Sequence, residues 1–247
     1  MSFNQKTLLA ATAAFAALTA SASAQSVAFT KSDIYFELNA TDGDAGLHGI
    51  LDGPAWKSAR IKGPGGTFDV IRAQSNQDSP EFGMTELFFE SNEPPLDERS
   101  FAELIALFPA GVYMFVGQTT ANEPMRAVDT LTTAMPCPAV VRPPRLVSGD
   151  LAISWRLQRG SYDPDTGVCS AGNAVTPIFI QAFFELSNPI TGESRKFAVD
   201  LPATARTVEV PEELLLGIDF DDFDEKAEVI VVGTGGNRTA IEVEVEL

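Results

Sequence analysis

The chain has 247 residues, with 34 acidic and 17 basic side chains, one histidine and a formal charge of −17 at neutral pH. A surface this acidic repels phosphate backbones and anionic bilayers, which argues against nucleic-acid binding. Two cysteines and one histidine are too few for a zinc site, and they leave a serine or thiol nucleophile short of partners.

The N-terminus carries Lys6, then an uncharged stretch from Thr7 to Ala24 that ends in Ala22-Ser23-Ala24 before Gln25. A basic start, a short apolar centre and small residues before the cut predict a secretory signal peptide over residues 1–24. Its strongly apolar part, Leu8 to Leu18, falls short of the ~20 residues that span a bilayer. The expected mature chain has 223 residues, is secreted or periplasmic, and has no membrane span once the signal is cleaved. Removing the signal removes one lysine and no acid, so the formal charge moves to −18.

Residues 25–136 read as an N-terminal β-sandwich domain. Ile34, Phe36 and Leu38 alternate with Tyr35, Glu37 and Asn39, the period of a half-buried strand. Further strand runs are predicted at Phe68 to Ile71, Thr85 to Phe89, Val112 to Val116 and Ala127 to Thr132, separated by Gly- and Pro-rich turns. Ser100 with Glu103 has capping-box spacing, and the apolar stripe Phe101, Leu104, Ile105 and Leu107 predicts one short helix that Pro109 and Gly111 end. Many short strands with one short helix indicate an all-β fold of two sandwich domains.

Within this first domain, Asp42-Gly43-Asp44-Ala45-Gly46, with Asp52 beyond, places oxygen ligands at alternate positions beside glycine, as calcium loops do. Asp42, Asp44 and Asp52 are therefore the candidate metal ligands, with calcium as the candidate ion. Position 12 counted from Asp42 is Gly53, where an EF-hand needs a carboxylate, and Asp-Gly pairs also build plain turns. His48 lacks the nucleophile context of a triad and is expected at a loop or strand end. Glu86, Glu90 and Glu93 lie close in sequence, as the carboxylates of a glycosidase pair do.

Pro136, Pro138, Pro143 and Pro144 crowd a nearly apolar stretch that cannot form a central strand, because each proline removes a ladder donor. Residues 137–144 are read as an interdomain linker. Cys137 and Cys169 form an even pair, which in an oxidising compartment predicts a disulfide worth about 3–4 kcal/mol by loop closure.

Residues 145–247 give a second series of strands: Ile153, Trp155 and Leu157 in alternation, Ile178 to Leu186, Lys196 to Leu201, Thr207 to Val210, Ala227 to Val232, and Ile241 to Leu247. In the last run apolar residues alternate with glutamates, which keep one face in water. The run Asp219, Asp221, Asp222, Asp224 and Glu225 is a second acidic loop; such blocks are ordinarily solvated. Gly233-Thr234-Gly235-Gly236-Asn237 reads as a hairpin turn, since a phosphate loop would need a helix after it. Asn39-Ala40-Thr41 and Asn237-Arg238-Thr239 match glycosylation sequons and are assigned no role.

Ala152-Ile153-Ser154-Trp155, Phe197 to Thr204, Val208 to Leu214, and Ala227 to Val232 with Gly235 to Thr239 together resemble a fibronectin type III domain, an immunoglobulin-like sandwich. The resemblance implies that Trp155 packs between two sheets and that Pro211-Glu212-Glu213-Leu214 forms a leucine-bearing turn. Two departures stand out. The family's tyrosine before the penultimate strand is missing, with Phe223-Asp224-Glu225-Lys226 in its place. The stretch from Gln158 to Pro177 is long, and is expected to fold back and be clamped to the linker through Cys169. Phrases such as Leu87-Phe88-Phe89-Glu90-Ser91 and Phe108-Pro109-Ala110-Gly111-Val112-Tyr113 resemble the N-terminal region of exported bacterial proteins that end in such a module, a resemblance that brings no activity.

The expected function is an exported, non-catalytic binding or structural protein whose partner is an extracytoplasmic protein or glycan, with no cofactor beyond candidate calcium. The alternative is a carboxylate-based glycoside- or ester-active hydrolase on a β-sandwich.

Overall fold

The computed structural model describes residues 26–75, 79 and 81–245; the expected signal peptide, and the last two residues of the expected final strand, lie outside them. Strands dominate, as the period-2 patterns require. The first unit contains β1 (Val27–Ala28), β2 (Lys31–Asn39), β3 (Asp44–Lys62), β4 (Asp69–Gln74), β5 (Met84–Glu90), helix α1 (Phe101–Leu107), β6 (Gly111–Thr119) and β7 (Pro124–Leu131). β3 is 19 residues long and belongs to two layers. Its first half pairs with β2 and β5, its second half with β4 and β6, and the register breaks between Asp52 and Trp56, around Gly53-Pro54. A strand that bends at such a break turns the corner of a sandwich. Ile34, Phe36, Leu38, Leu47, Leu51, Trp56, Ile61, Tyr113 and Phe115 fill the space between the layers, none more than 1% exposed.

Local signals place α1 as expected. Ser100 and Glu103 form the reciprocal capping box, and Phe101 and Leu104 face the core. At its end, the Tyr113 hydroxyl donates to the Pro109 carbonyl at 3.0 Å. This is a brace of the tyrosine-corner kind, a hydroxyl bonded back to backbone a few residues upstream. The first unit thus has the device that the second lacks.

Strand β8 (Met135–Pro136) leads into β9 (Val140–Val147), β10 (Asp150–Arg156), β11 (Gly160–Asp163), β12 (Val168–Val175), β13 (Pro177–Ser187), β14 (Ser194–Pro202), β15 (Thr207–Val210), helix α2 (Glu212–Leu215), β16 (Asp224–Gly233) and β17 (Arg238–Glu244). The sheet β15-β10-β9 packs against β14-β13-β16-β17, the fibronectin type III-like arrangement. Trp155 is 3% exposed in this core, among Ile153, Ile180, Phe184 and Val229. The leucine-bearing segment is the short helix α2, which buries Leu215. Where the family tyrosine is missing, Phe220 and Phe223 pack against the core, and the Phe223 N–H donates to the Phe220 carbonyl at 3.1 Å.

The linker reading needs correction. Residues 140–144 belong to β9, which pairs with β10 alone and so lies at a sheet edge. The register slips there, with Arg142 opposite Ser154 and Arg145 opposite Ala152, so Pro143-Pro144 together face Ile153. An edge strand at a bulge is where a sheet tolerates proline. Residues 135–139 are buried. The stretch from Gln158 to Pro177 does fold back: β11 pairs with β12 and β8, and Cys137 and Cys169 are joined with Cα atoms 5.8 Å apart. Its turn reaches the first unit, where Asp165 accepts a 2.7 Å hydrogen bond from the Phe101 N–H at the start of α1.

The two sandwiches are not separate. β17 pairs in parallel with β2 (Arg238 to Glu37, Thr239 to Leu38, Ala240 to Asn39), making one sheet of eleven strands. Asn237, fully buried, secures the junction. Its Nδ2 lies 2.9 Å from the Thr132 carbonyl, 3.1 Å from Thr132 Oγ1 and 3.1 Å from the Ala134 carbonyl, while Oδ1 accepts from the Phe36 N–H at 2.9 Å. Thr239 Oγ1 donates to the Pro136 carbonyl at 2.8 Å. The presumed sequon is an interior lock and has no room for a glycan.

Two stability outcomes follow. Asn237→Ala orphans several buried backbone groups at about 1–3 kcal/mol each. It should cost about 3–5 kcal/mol in urea unfolding, while the wild-type chain unfolds in a single transition seen alike by both tryptophans and by circular dichroism. Separate transitions for the two units in the wild type would refute the junction's role. Reduction of Cys137–Cys169 should lower stability by about 3–4 kcal/mol, measured by unfolding with and without dithiothreitol.

Candidate functional site

The polar chemistry of the molecule gathers on the outer face of the shared sheet. Tyr35 and Glu37 project from β2 on the side opposite Ile34, Phe36 and Leu38, and the parallel register sets Arg238 beside them. The Arg238 guanidinium lies 3.8 Å from the centre of the Tyr35 ring, a cation–π distance. Arg238 also lies 3.6 Å from Glu37 Oε2 and donates to Gln181 Oε1 at 3.1 Å; Gln181 Nε2 donates in turn to Asp200 Oδ1 at 2.9 Å. On the other side of Tyr35, His48 stacks against the ring with centroids 5.6 Å apart.

His48 is therefore not at a loop or strand end. It sits within β3, 4% exposed, between Tyr35 of β2 and Glu90 of β5, with Nε2 2.6 Å from Glu93 Oε1. Glu93 reaches it because Gly46 has no side chain: a Cβ there would come within 2.7 Å of Glu93 Cγ. Of the three glutamates near one another in sequence, Glu90 and Glu93 meet the His48 position, whereas Glu86 stands opposite Asp52 at the far end of the pairing. Buried His48 and partly exposed Glu93 form a brace for Tyr35.

The candidate calcium triad does not assemble. Asp42 lies in the β2–β3 turn and Asp44 opens β3, but Asp52 is eight residues along the same strand, paired with Lys31. At ~3.3 Å per residue that is roughly 27 Å away. The Asp-Gly phrase is a hairpin turn held by Asn39, whose Oδ1 accepts from the Thr41 N–H at 2.9 Å and whose Nδ2 donates to Asp42 Oδ2 at 2.9 Å. Among the described residues no three His, Cys, Asp or Glu side chains are grouped as a metal ion needs.

The turn instead meets the second acidic loop. A groove of about 720 Å³ is lined by Thr41 and Asp42 of the first unit and by Phe220, Phe223, Asp224, Glu225, Glu242 and Glu244 of the second, with Lys226 as its cation. Glu242 ties the two sides: its carboxylate ion-pairs with Lys226 and accepts from Asn39 Nδ2 at 2.9 Å, and its N–H donates to Thr41 Oγ1 at 2.8 Å. Directly opposite Glu242 on β16 stands Glu228. Burial, then repulsion from Glu242 and Glu37, pushes the Glu228 carboxyl up to about 7 against the pull of Lys226. Glu37 is raised as well, chiefly by burial, with His48 and Arg238 opposing.

Sequence reasoning missed Tyr35, Glu37, Glu228, Glu242 and Arg238 as a group. The available signal was Glu228, a charge on the core-bound run Ala227 to Val232.

No family model matches the chain, and no curated protein matches it in sequence. Solved structures do. The first three fibronectin domains (FN1–FN3) of chicken CNTN1 match over 90% of this chain and 68% of that one, at 12% identity and a TM-score of 0.32. A 1.5-MDa bacterial ice-binding adhesin matches over 90% of this chain and 65% of the adhesin chain, at 12% identity and a TM-score of 0.24. The strand order of the sheets itself defines the all-β sandwich fold.

Glu228 gives the seam a pH signature. Its carboxyl is raised in the folded chain from an ordinary value of 4.5 to about 7, so its contribution to stability is complete below pH 4.5 and is lost as pH rises through about 7. Glu228→Gln should melt higher than wild type at pH 8 and level with it at pH 4, with the difference developing between. Equal melting temperatures at both pH values would show that Glu228 ionises freely.

Proposed function

We propose that the chain is an exported, non-catalytic binding or structural protein in which the two sandwiches act as one rigid body that presents surfaces to an extracytoplasmic protein or glycan. The observation that carries this reading is the β17–β2 pairing locked by Asn237, around which the polar groups of the seam are committed to one another. His48 and Glu93 brace Tyr35, Arg238 is shared by Tyr35, Glu37 and Gln181, and Glu242 is shared by Lys226, Asn39 and Thr41. A catalytic group needs a free face toward substrate, and these faces are occupied.

One observation favours the hydrolase alternative: Glu228, held protonated to about pH 7, faces Glu242, which carries an ion pair. An acid beside a carboxylate is the pairing that glycosidases use. Glu242 lines the groove and Glu228 is not among its lining residues, so the two do not face a common substrate space.

The deciding experiment incubates the intact mature chain with a panel of aryl glycosides, polysaccharides and aryl esters. The same substrates are then offered to Glu228→Gln and Glu242→Gln. The expected result is no turnover above buffer in any of the three. Turnover by the wild type that both variants lose would overturn the proposal in favour of the hydrolase.

A further inference from the structure

The acidic composition conceals a basic face. On the outer side of the layer formed by β4, the second half of β3, β6 and β7, the registers place Arg72, Arg60, Val116 and Arg126 in one row across four strands. Lys62 follows on β3, two residues along from Arg60 and on the same side. With neighbouring strands about 4.8 Å apart, Arg60 lies one strand from Arg72 and two from Arg126. The three arginines are exposed. Arg72 is ion-paired with Asp69, whereas Arg60, Lys62 and Arg126 form no ion pair among the described residues.

This arrangement has a cost. Like charges directly opposite on neighbouring strands are destabilising, and Arg60 faces Arg72. In a chain with 34 acids and 17 bases, acidic partners are abundant elsewhere, yet the sheet sets Arg60 against Arg72, while Asp69 stands opposite Lys62. A depression of about 340 Å³ opens on the face, where Ser58, Gln118 and Asn122 stand beside Arg60 and Lys62, with Val116 and Pro124 between them. Cations, neutral hydrogen-bonding groups and small apolar patches in alternation match the surface of a sugar acid, which presents carboxylate, hydroxyls and C–H faces in turn.

We propose that this face is the docking surface for an acidic polysaccharide, with uronate carboxylates held by Arg60, Lys62 and Arg126 and hydroxyls by Ser58 and Gln118. The proposal rests on the binding-protein reading and names its partner class. The net charge of −17 works against densely charged occupants such as duplex DNA or an anionic bilayer, which meet repulsion from the rest of the surface. A polyuronate carries one carboxylate per sugar ring, a lower linear charge density than the two phosphates per base pair of duplex DNA, and its hydroxyl-bearing rings engage the patch locally.

The test uses the intact mature chain in affinity electrophoresis and calorimetry against polygalacturonate, with an uncharged galactan as the neutral polymer. Retardation by polygalacturonate alone is expected, weakening as salt rises. Arg60→Glu and Arg126→Glu should each weaken binding at least tenfold, while Arg145→Glu, on the exposed edge strand β9, changes it less than twofold. If either glutamate variant melts early, the Gln variant at that position takes its place, with a smaller loss in the same direction. Reducing-end assays after incubation separate the two readings: intact polymer with binding supports both, and shortened polymer overturns the non-catalytic reading. Absence of binding, equal binding by all variants, or preferential binding of duplex DNA or phosphatidylglycerol vesicles would overturn the polysaccharide proposal. So would a wild-type dimer in sedimentation that Arg60→Glu dissociates, because the occupant would then be a second copy.

Discussion

Everything in this molecule is built around one buried amide. Asn237 stands one residue before the parallel pairing of β17 with β2 begins, and its Oδ1 takes the N–H of Phe36, one residue before Glu37 on the other strand. The side chain thereby continues the backbone ladder by one rung. Its amide nitrogen is turned to the Thr132 and Ala134 carbonyls, so the chain leaving β7 is fixed by the same group that fixes the sheet. An asparagine side chain has two donor hydrogens and an acceptor oxygen, and here both kinds of group are engaged. In a low-dielectric interior each of these bonds is strong, and each lost partner is expensive. The turn that presents the amide requires Gly235 and Gly236, with φ of +97° and +86°, a backbone that side-chain-bearing residues rarely adopt.

That junction accounts for how the connection between the units is built. A free linker would be exposed and mobile, and units so joined move relative to each other by default. Here residues 135–139 are buried, which is tolerable only where their carbonyls find donors. Thr239 serves Pro136, Gln158 serves Pro138 at 3.2 Å, and the disulfide draws the β11–β12 hairpin over the same stretch. The hairpin then reaches α1 through Asp165 and contributes Tyr162 to the first core. Proline suits this path because a residue without an N–H leaves one fewer donor to satisfy.

Much of the fold was legible in the sequence about where the structure has it: β2 and β10 by the alternation of a half-buried strand, β13 as a nearly all-apolar run, and β15 as a short run between turns. The 19-residue strand β3 was not, for a physical reason. Its first half is covered on both faces, by the core on one and by Glu93 on the other, so Ala45 to Gly49 are all buried. A strand covered on both sides shows no alternation. The close approach of its neighbours demands glycine, which reads as turn, and that misreading produced the calcium loop. The seam was hidden differently. Pairing between Arg238 and Glu37, or between Glu228 and Glu242, is long-range in sequence, and nothing local at Asn237-Arg238-Thr239 distinguishes an interdomain lock from a surface sequon. The cysteine pair was legible because two cysteines leave one possible bridge.

Charge is distributed by the same architecture. The seam concentrates carboxylates where β16, β17 and β2 meet, because the cross-strand register brings Glu228, Glu242 and Glu37 together, with Lys226 ion-paired to Glu242 and Arg238 to Glu37. Burial first, and then repulsion within this cluster, holds the Glu228 carboxyl protonated toward neutral pH. Arg60, Lys62 and Arg126, which form no ion pair among the described residues, lie on the opposite layer of the first unit, reached by the bend of β3 near Gly53-Pro54. A single strand thus places His48 at the acidic seam with its first half and Arg60 and Lys62 on the basic face with its second. β3 is hydrogen-bonded to neighbouring strands along both halves, with a register break between them, so one continuous strand links the two surfaces. The acidic seam and the basic face are therefore two surfaces of one hydrogen-bonded body, joined through a single 19-residue strand.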